Sequence, residues 1–219
     1  MGSNPVTENP KRCEMMKEFD ETVRRYDEDR WLSSRYAASG HRDSLLLLYA
    51  YNLELARIRL SVSEKSLGYI RFQWWRDQIS KLGELNALPK HPLLIALSEV
   101  ISPAGLTREA LLRLLDGHEA AFEHDDRALE PEGELAILAA NLILPAHGWD
   151  GVIRSLADEW AGLRRGGACG VLQEIPTVPS ALRPAIAHFR LRRLWGDGKK
   201  TDAFSRRRSI LLAVLTGKV

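Results

Sequence analysis

Cysteine is scarce in this chain, with only Cys13 and Cys169 among 219 residues. Two thiols so far apart make neither a disulfide framework nor a cysteine-based metal cluster, and they fit a reducing compartment. Long apolar runs are missing too. Nothing approaches the roughly 18 consecutive apolar residues that suggest a membrane span. An excess of one charge sign is also absent, because the net charge of +2 is too small to imply a nucleic-acid partner. The opening residues, MGSNPVTENPKR, are polar and lack the apolar core of a secretion signal. The expectation is a disordered leader over residues 1–16, one domain over 17–219, and a cytoplasmic protein. No useful stretch alternates apolar and polar residues as a strand does, and no internal repeat occurs.

What is present is helical periodicity. DSLLLLYAYNLELARIRL places Leu45, Leu48, Tyr49, Asn52, Leu55, Ala56 and Arg59 along one stripe, with Asp43 as the expected N-cap. KSLGYIRFQWWRDQISKL carries Leu67, Ile70, Trp74 and Gln78 on one stripe, with Arg71, Trp75 and Ile79 beside it; Gly83 marks its stop. HPLLIALSEVI opens with Pro92 in a first-turn position. LTREALLRLLDGHEAAFEHDDRAL starts at Thr107 as cap. Two more helices follow in EGELAILAANLILPAHG and DGVIRSLADEWAGLRRGG, and two in PAIAHFRLRRLW and FSRRRSILLAVLTGKV. The pattern predicts an all-α, single-domain protein of about eight helices.

Four of these pieces together resemble the squalene/phytoene synthase family: DRWLSSRYA (29–37), RDSLLLLYAYNLELARIR (42–59), SVSEKSLGYIRFQWWRDQI (61–79) and LLDGHEAAFEHDD (114–126). The resemblance implies an isoprenoid-synthase-like helical bundle, shortened at the C-terminus. Within the family, the combination of YAYN-ELARIR, SVSE and IR-QWWRD is similar to a divergent branch found in bacteria and mitochondria. The mitochondrial member of that branch is implicated in assembly of respiratory complex I rather than in terpene synthesis.

Catalytic members ionise a prenyl diphosphate with Mg²⁺, a hard ion that prefers carboxylate and water oxygens. The resemblance implies two Asp-rich motifs on facing helices. Aligned on the tyrosine-containing segment, the first would fall at Ala56, Arg57 and Leu60, none of them acidic. Arg57 and Arg59 reverse the local charge, and Glu54 is the nearby carboxylate. The second would lie in residues 157–179, where Asp158 and Glu159 are adjacent and so point about 100° apart on a helix. Both metal clamps are therefore expected to be missing, and with them any cofactor; Mg²⁺ belongs only to an enzyme reading.

Other clusters carry two readings each. Arg57, Arg59, Arg71 and Arg76 could converge with Asn52, Glu54 and Trp75 into a vestigial diphosphate or anion pocket, or form surface ion pairs with Glu54, Glu64 and Asp77. In HEAAFEHDD, His118 and His124 are six apart, wrong for a helical zinc pair, and read as a solvated helix end. Of Trp74 and Trp75, one is expected in the core. From Arg183 onward ten Lys or Arg face two Asp. With Ile210, Leu211, Val214 and Leu215 on one face, the last helix suits either an anionic membrane surface touched by Arg206, Arg207 and Arg208, or a last core helix.

The reading is a non-catalytic family member with an assembly or interaction role, a protein partner in respiratory-complex assembly, and peripheral contact with the inner face of the membrane. The alternatives are a prenyltransferase condensing farnesyl or geranylgeranyl diphosphate, and an isoprenoid- or lipid-binding module. Only the enzyme reading requires a prenyl diphosphate, and no nucleic-acid partner is expected.

Overall fold

The computed structural model describes residues 10–83, 91–101, 106–167, 174–196 and 201–219. Among them the regular structure is helical, and the one bridge pairs Ile101 with Leu106 without forming a strand. The helices are α1 (Pro10–Tyr26), α2 (Glu28–Ser34), α3 (Ser39–Ser61), α4 (Lys65–Ser80), α5 (Pro92–Val100), α6 (Arg108–Glu123), α7 (Glu132–Ile143), α8 (Asp150–Arg164), α9 (Arg183–Ile186), α10 (Leu191–Gly196) and α11 (Ala203–Thr216). The all-α class is the one the periodicity predicts.

Helix α3 is the axle. Every residue from Leu45 to Asn52 is buried, so the helix is enclosed on all sides through its middle, as an apolar segment of this kind requires. Helices α1, α5 and α7 lie against it, α4 packs on α6, and α7 on α8. One continuous apolar core runs from Phe19 to Val219. In α4 the inward side is Gly68, Phe72, Trp75 and Ile79, whereas Leu67, Ile70 and Trp74 are exposed. Of the two neighbouring stripes in the sequence, the second supplies Trp75 and Ile79 to the core, while its Arg71 stays exposed.

Gly68 shows why a small residue is needed at the α4–α6 contact. The Phe122 ring sits on its backbone, and a β-carbon there would lie 2.2 Å from Phe122 Cζ. Phe122 is itself held between Phe72 and Tyr69, with ring centroids 5.6 Å away in both cases. We expect Gly68→Val to lower stability by roughly 1–3 kcal/mol through overpacking, read as a reduced urea midpoint.

Several local signals act as the sequence implies. The Thr107 hydroxyl accepts from Ala110 N–H at 3.1 Å, and Pro92 opens α5. Others differ. Residues 10–16, assigned to the polar leader, belong to α1, where Met15 and Met16 pack on the core; residues 1–9 lie outside the described set. Helix α3 begins at Ser39, four residues before the expected Asp43 cap, and Arg42 at its first turn donates to the carbonyls of Arg35 and Ala37. The described helices outnumber the expected eight because α1 and α2 were not anticipated and the segment 180–196 is broken by 3₁₀ turns. Cys13 is an exposed thiol, and Cys169 lies outside the described residues.

Candidate functional site

A cavity of about 430 Å³ opens beside the C-terminal half of α3, between α2, α6, α8 and the segment joining α6 to α7. Its wall is unusually charged. Six guanidinium groups (Arg30, Arg57, Arg59, Arg127, Arg164 and Arg165) meet three carboxylates (Asp27, Glu130 and Glu132). Leu53, Ala56, Leu60, Pro131 and Ala161, with the Tyr26 ring, supply the apolar part of the wall.

The floor is built around Arg30, which is 2% exposed. Arg30 Nη1 donates to Asp27 at 2.5 Å and Nη2 to Glu132, while its guanidinium lies over Trp160 at 4.8 Å and Tyr49 at 5.8 Å. Burial alone would raise the Asp27 carboxyl, but the charges of Arg30 and Arg164 outweigh it and hold the carboxyl below its ordinary value. Arg164 is 3.5 Å from Asp27. A spacing of three residues on α2's first turn brings Asp27 and Arg30 together.

Glu130 anchors the opposite rim. Arg127 reaches it at 3.0 Å, Arg165 at 3.9 Å and Arg59 at 4.0 Å. Arg59 is the least satisfied of these cations: its Nη1 is enclosed yet has no hydrogen-bond partner. At the back, Asn52 Oδ1 and His118 Nε2 are 2.8 Å apart and both side chains are buried. The amide oxygen can only accept, so His118 donates through Nε2. Burial, with Arg30 and Arg59 nearby, drives the His118 imidazole down to about 4, so it is neutral at ordinary pH.

Of the seven residues proposed from sequence as an anion pocket, three meet here: Asn52, Arg57 and Arg59. Arg57 covers the Tyr26 ring at 4.5 Å and is 3.0 Å from Glu54, which itself lies outside the wall. The remaining three sit on α4, away from the cavity. Arg71 donates to Ser61 Oγ, and Arg76 bridges to α6 through Asp116 at 2.6 Å and Glu119 at 2.5 Å. Trp75 is buried edge-on to Tyr51, 5.7 Å between centroids, and to His91 at 5.2 Å. The tertiary packing turns these three toward the end of α3, the start of α5 and the face of α6, and not into the cavity.

The sequence reading missed most of the charged wall: Asp27, Arg30, Arg127, Glu130, Glu132, Arg164 and Arg165. The available signal was the Asp27–Arg30 pair next to DRWLSS, and a lone buried arginine looks like a surface one in a linear sequence. His118, read as part of a solvated helix end, is 6% exposed and belongs to the wall. Asp158 and Glu159 diverge as expected. Glu159 pairs with Arg192 on α10 at 2.6 Å, and neither lines the cavity.

The donor set bears on Mg²⁺. Ala56, Arg57 and Leu60, the positions that the resemblance assigns to the first Asp-rich motif, all line the cavity. Each of its three carboxylates is held by guanidinium groups. Among the described residues no group of three His, Cys, Asp or Glu side chains is placed to hold a metal ion. This set does not fit Mg²⁺, which takes free carboxylate and water oxygens. It fits an oxyanion, which guanidinium groups recognise through charge-assisted paired hydrogen bonds.

Comparison with known proteins bears on the same segment. The family model for squalene/phytoene synthase matches residues 23–132, which include the whole cavity wall except Ala161, Arg164 and Arg165. Among curated proteins, the chain is similar to NADH dehydrogenase (ubiquinone) complex I, assembly factor 6. Identity is 33% over 121 residues to the Bos taurus protein and 32% to that of Homo sapiens. The alignment covers 55% of this chain and 35% of each relative, so the chain spans about a third of the length of the relatives it matches. No solved structure matches the chain.

Proposed function

Because the chain belongs to the squalene/phytoene synthase family, we propose that it keeps the family's helical cavity without metal-dependent prenyl transfer, and that it acts in assembly of a respiratory complex. The observation that carries this reading is the charge of the cavity wall, where Arg57 stands at a position that the resemblance assigns to a carboxylate and Arg59 lies two residues on. Guanidinium groups there repel a divalent cation at close range. They bind instead an anion of the phosphate or diphosphate type, with no metal required. The relatives' name as a complex I assembly factor supports the assembly part.

Purified protein is therefore expected to give no squalene, phytoene or cyclopropyl precursor from farnesyl or geranylgeranyl diphosphate with Mg²⁺ or Mn²⁺. Losing even one well-placed charge-stabilising donor costs about 10²–10³ in rate, and here both clamps are proposed to be missing. Metal-dependent product would overturn the reading, and its loss in Glu54→Gln would identify one carboxylate as sufficient. Inorganic pyrophosphate in the presence of EDTA is expected to bind by calorimetry. Arg59→Ala is expected to weaken that binding about 10- to 100-fold, the value of a hydrogen bond to a charged group. Deleting the chain's gene is expected to lower assembled NADH dehydrogenase in membranes; unchanged levels would sink the assembly part.

A further inference from the structure

Helix α11 has two faces of opposite use. Ser209, Ile210 and Ala213 are buried against α2 and the segment before α10, and Arg206 turns the same way, 3.0 Å from Asp29 and 3.1 Å from Glu28. The helix end is fixed as well: Arg183 donates to the carbonyls of Val214 at 2.8 Å and Leu215 at 3.1 Å. This corrects the surface triplet read from the sequence, because Arg206 is committed to α2. It also moves Ile210 from the proposed contact face into the core.

The outward face is different. Phe204, Arg207, Arg208, Leu211 and Leu215 follow one another at spacings of three, one, three and four, which confines them to a stripe of about 100°. Phe204 is 73% exposed, Leu215 65% and Leu211 40%. Arg207 and Arg208 are exposed, Arg207 with a 3.6 Å contact to Glu28. Three large apolar side chains in water, interleaved with long cationic ones, resemble the surface of a helix lying in a lipid interface, where the arginine stems pack with the apolar groups and the heads stay at the phosphates.

We propose that this face of α11 docks the protein on an anionic lipid surface. The charge is complementary, since Arg207 and Arg208 are exposed on this stripe and no acidic residue belongs to it. A second copy fits poorly, because a symmetric contact would set Arg207 and Arg208 against their own counterparts. Size points the same way. A face of one 14-residue helix is about 21 Å long and about 10 Å wide, roughly 200 Å², well short of the ~800 Å² per partner of a stable protein interface. A bilayer imposes no such minimum of shape-matched area. No described helix is long and apolar enough to cross a membrane, so the contact is peripheral. The inference is independent of what the cavity holds.

The test is co-sedimentation of the full chain with vesicles. Binding is expected to vesicles of equal parts phosphatidylglycerol and phosphatidylcholine, with release as salt is raised. It is not expected to phosphatidylcholine alone. The double variant Arg207→Ala, Arg208→Ala should lower the partition about thirtyfold, given ~1 kcal/mol per cation near such a surface. Phe204→Ser with Leu215→Ser should lower it at every salt concentration, and Arg71→Ala, an exposed cation on α4, should leave it unchanged. All these side chains are exposed, so circular dichroism should confirm an intact fold. Equal binding to both vesicles, binding to neither, or wild-type binding by either double variant would overturn the proposal, as would capture of the face by a second copy in place of lipid.

Discussion

Arg30→Ala is expected to cost about 3–5 kcal/mol, a large part of the 5–15 kcal/mol that holds a domain of this size. The variant leaves Asp27 and Glu132 facing each other's surroundings without their shared cation, in a region where Asp27 is 3% exposed. Arg164, at 3.5 Å from Asp27, replaces little of the lost interaction. The guanidinium also fills the space over Trp160 and Tyr49, so the truncation opens a void beside two aromatic rings. Lysine at this position should rescue poorly, because it offers a point charge where a planar fork holds two carboxylates and stacks on a ring. Combining Arg30→Met with Asp27→Asn and Glu132→Gln should recover much of the loss, since the charge left behind is then removed. Urea denaturation would measure each step. A single Arg30→Ala change costing under about 1 kcal/mol would mean the buried charges are not coupled as described.

Acid should unfold the protein earlier than carboxylate titration alone requires. Two imidazoles are buried as neutral groups. His118 is held down to about 4, and His188, enclosed by Trp160 and Phe189 with both ring nitrogens unpartnered, is held well below its ordinary value by burial and by Arg30. The unfolded chain takes up these protons near pH 6.5, whereas the folded chain does not. Stability contributed by the neutral forms is therefore complete above about pH 6.5 and is lost as pH falls toward the folded values. For His118 the interval corresponds to about 3 kcal/mol in all, and the two together give a slope of about 2–3 kcal/mol per pH unit between pH 6 and 5. Asp27, with its depressed carboxyl, adds to the loss at still lower pH, and Asp29, whose carboxyl burial raises, opposes it there. His188→Phe removes two unpartnered nitrogens and His118→Gln keeps a donor for Asn52, so the double variant should lose most of the slope. Melting temperatures measured from pH 7 to 5 would decide it. A flat profile in the wild-type protein would show that water or a local opening already reaches these rings.

The amino-acid sequence by itself determined the class of structure and the kinship. Apolar residues at spacings of three and four require helices, and the charge of Arg57 and Arg59 is a property of the chain whatever its conformation. Thr107, Pro92 and Gly83 mark helix boundaries because capping is local: the hydroxyl, the missing N–H or the permitted left-handed turn acts within a few residues. Partnership across the fold is another matter. Arg30, Arg76 and Arg206 look alike along the sequence, yet one is enclosed between Asp27 and Glu132, one bridges two surface helices, and one ties α11 to α2. Which of two adjacent stripes on α4 faces the core, and whether His118 meets water or Asn52, likewise depended on where distant helices come to rest. The reason is physical: helical periodicity fixes the direction of a side chain relative to its own axis, while its burial, its charge partner and its access to a cavity are set by segments a hundred residues away, which only the tertiary structure brings within a hydrogen bond's length.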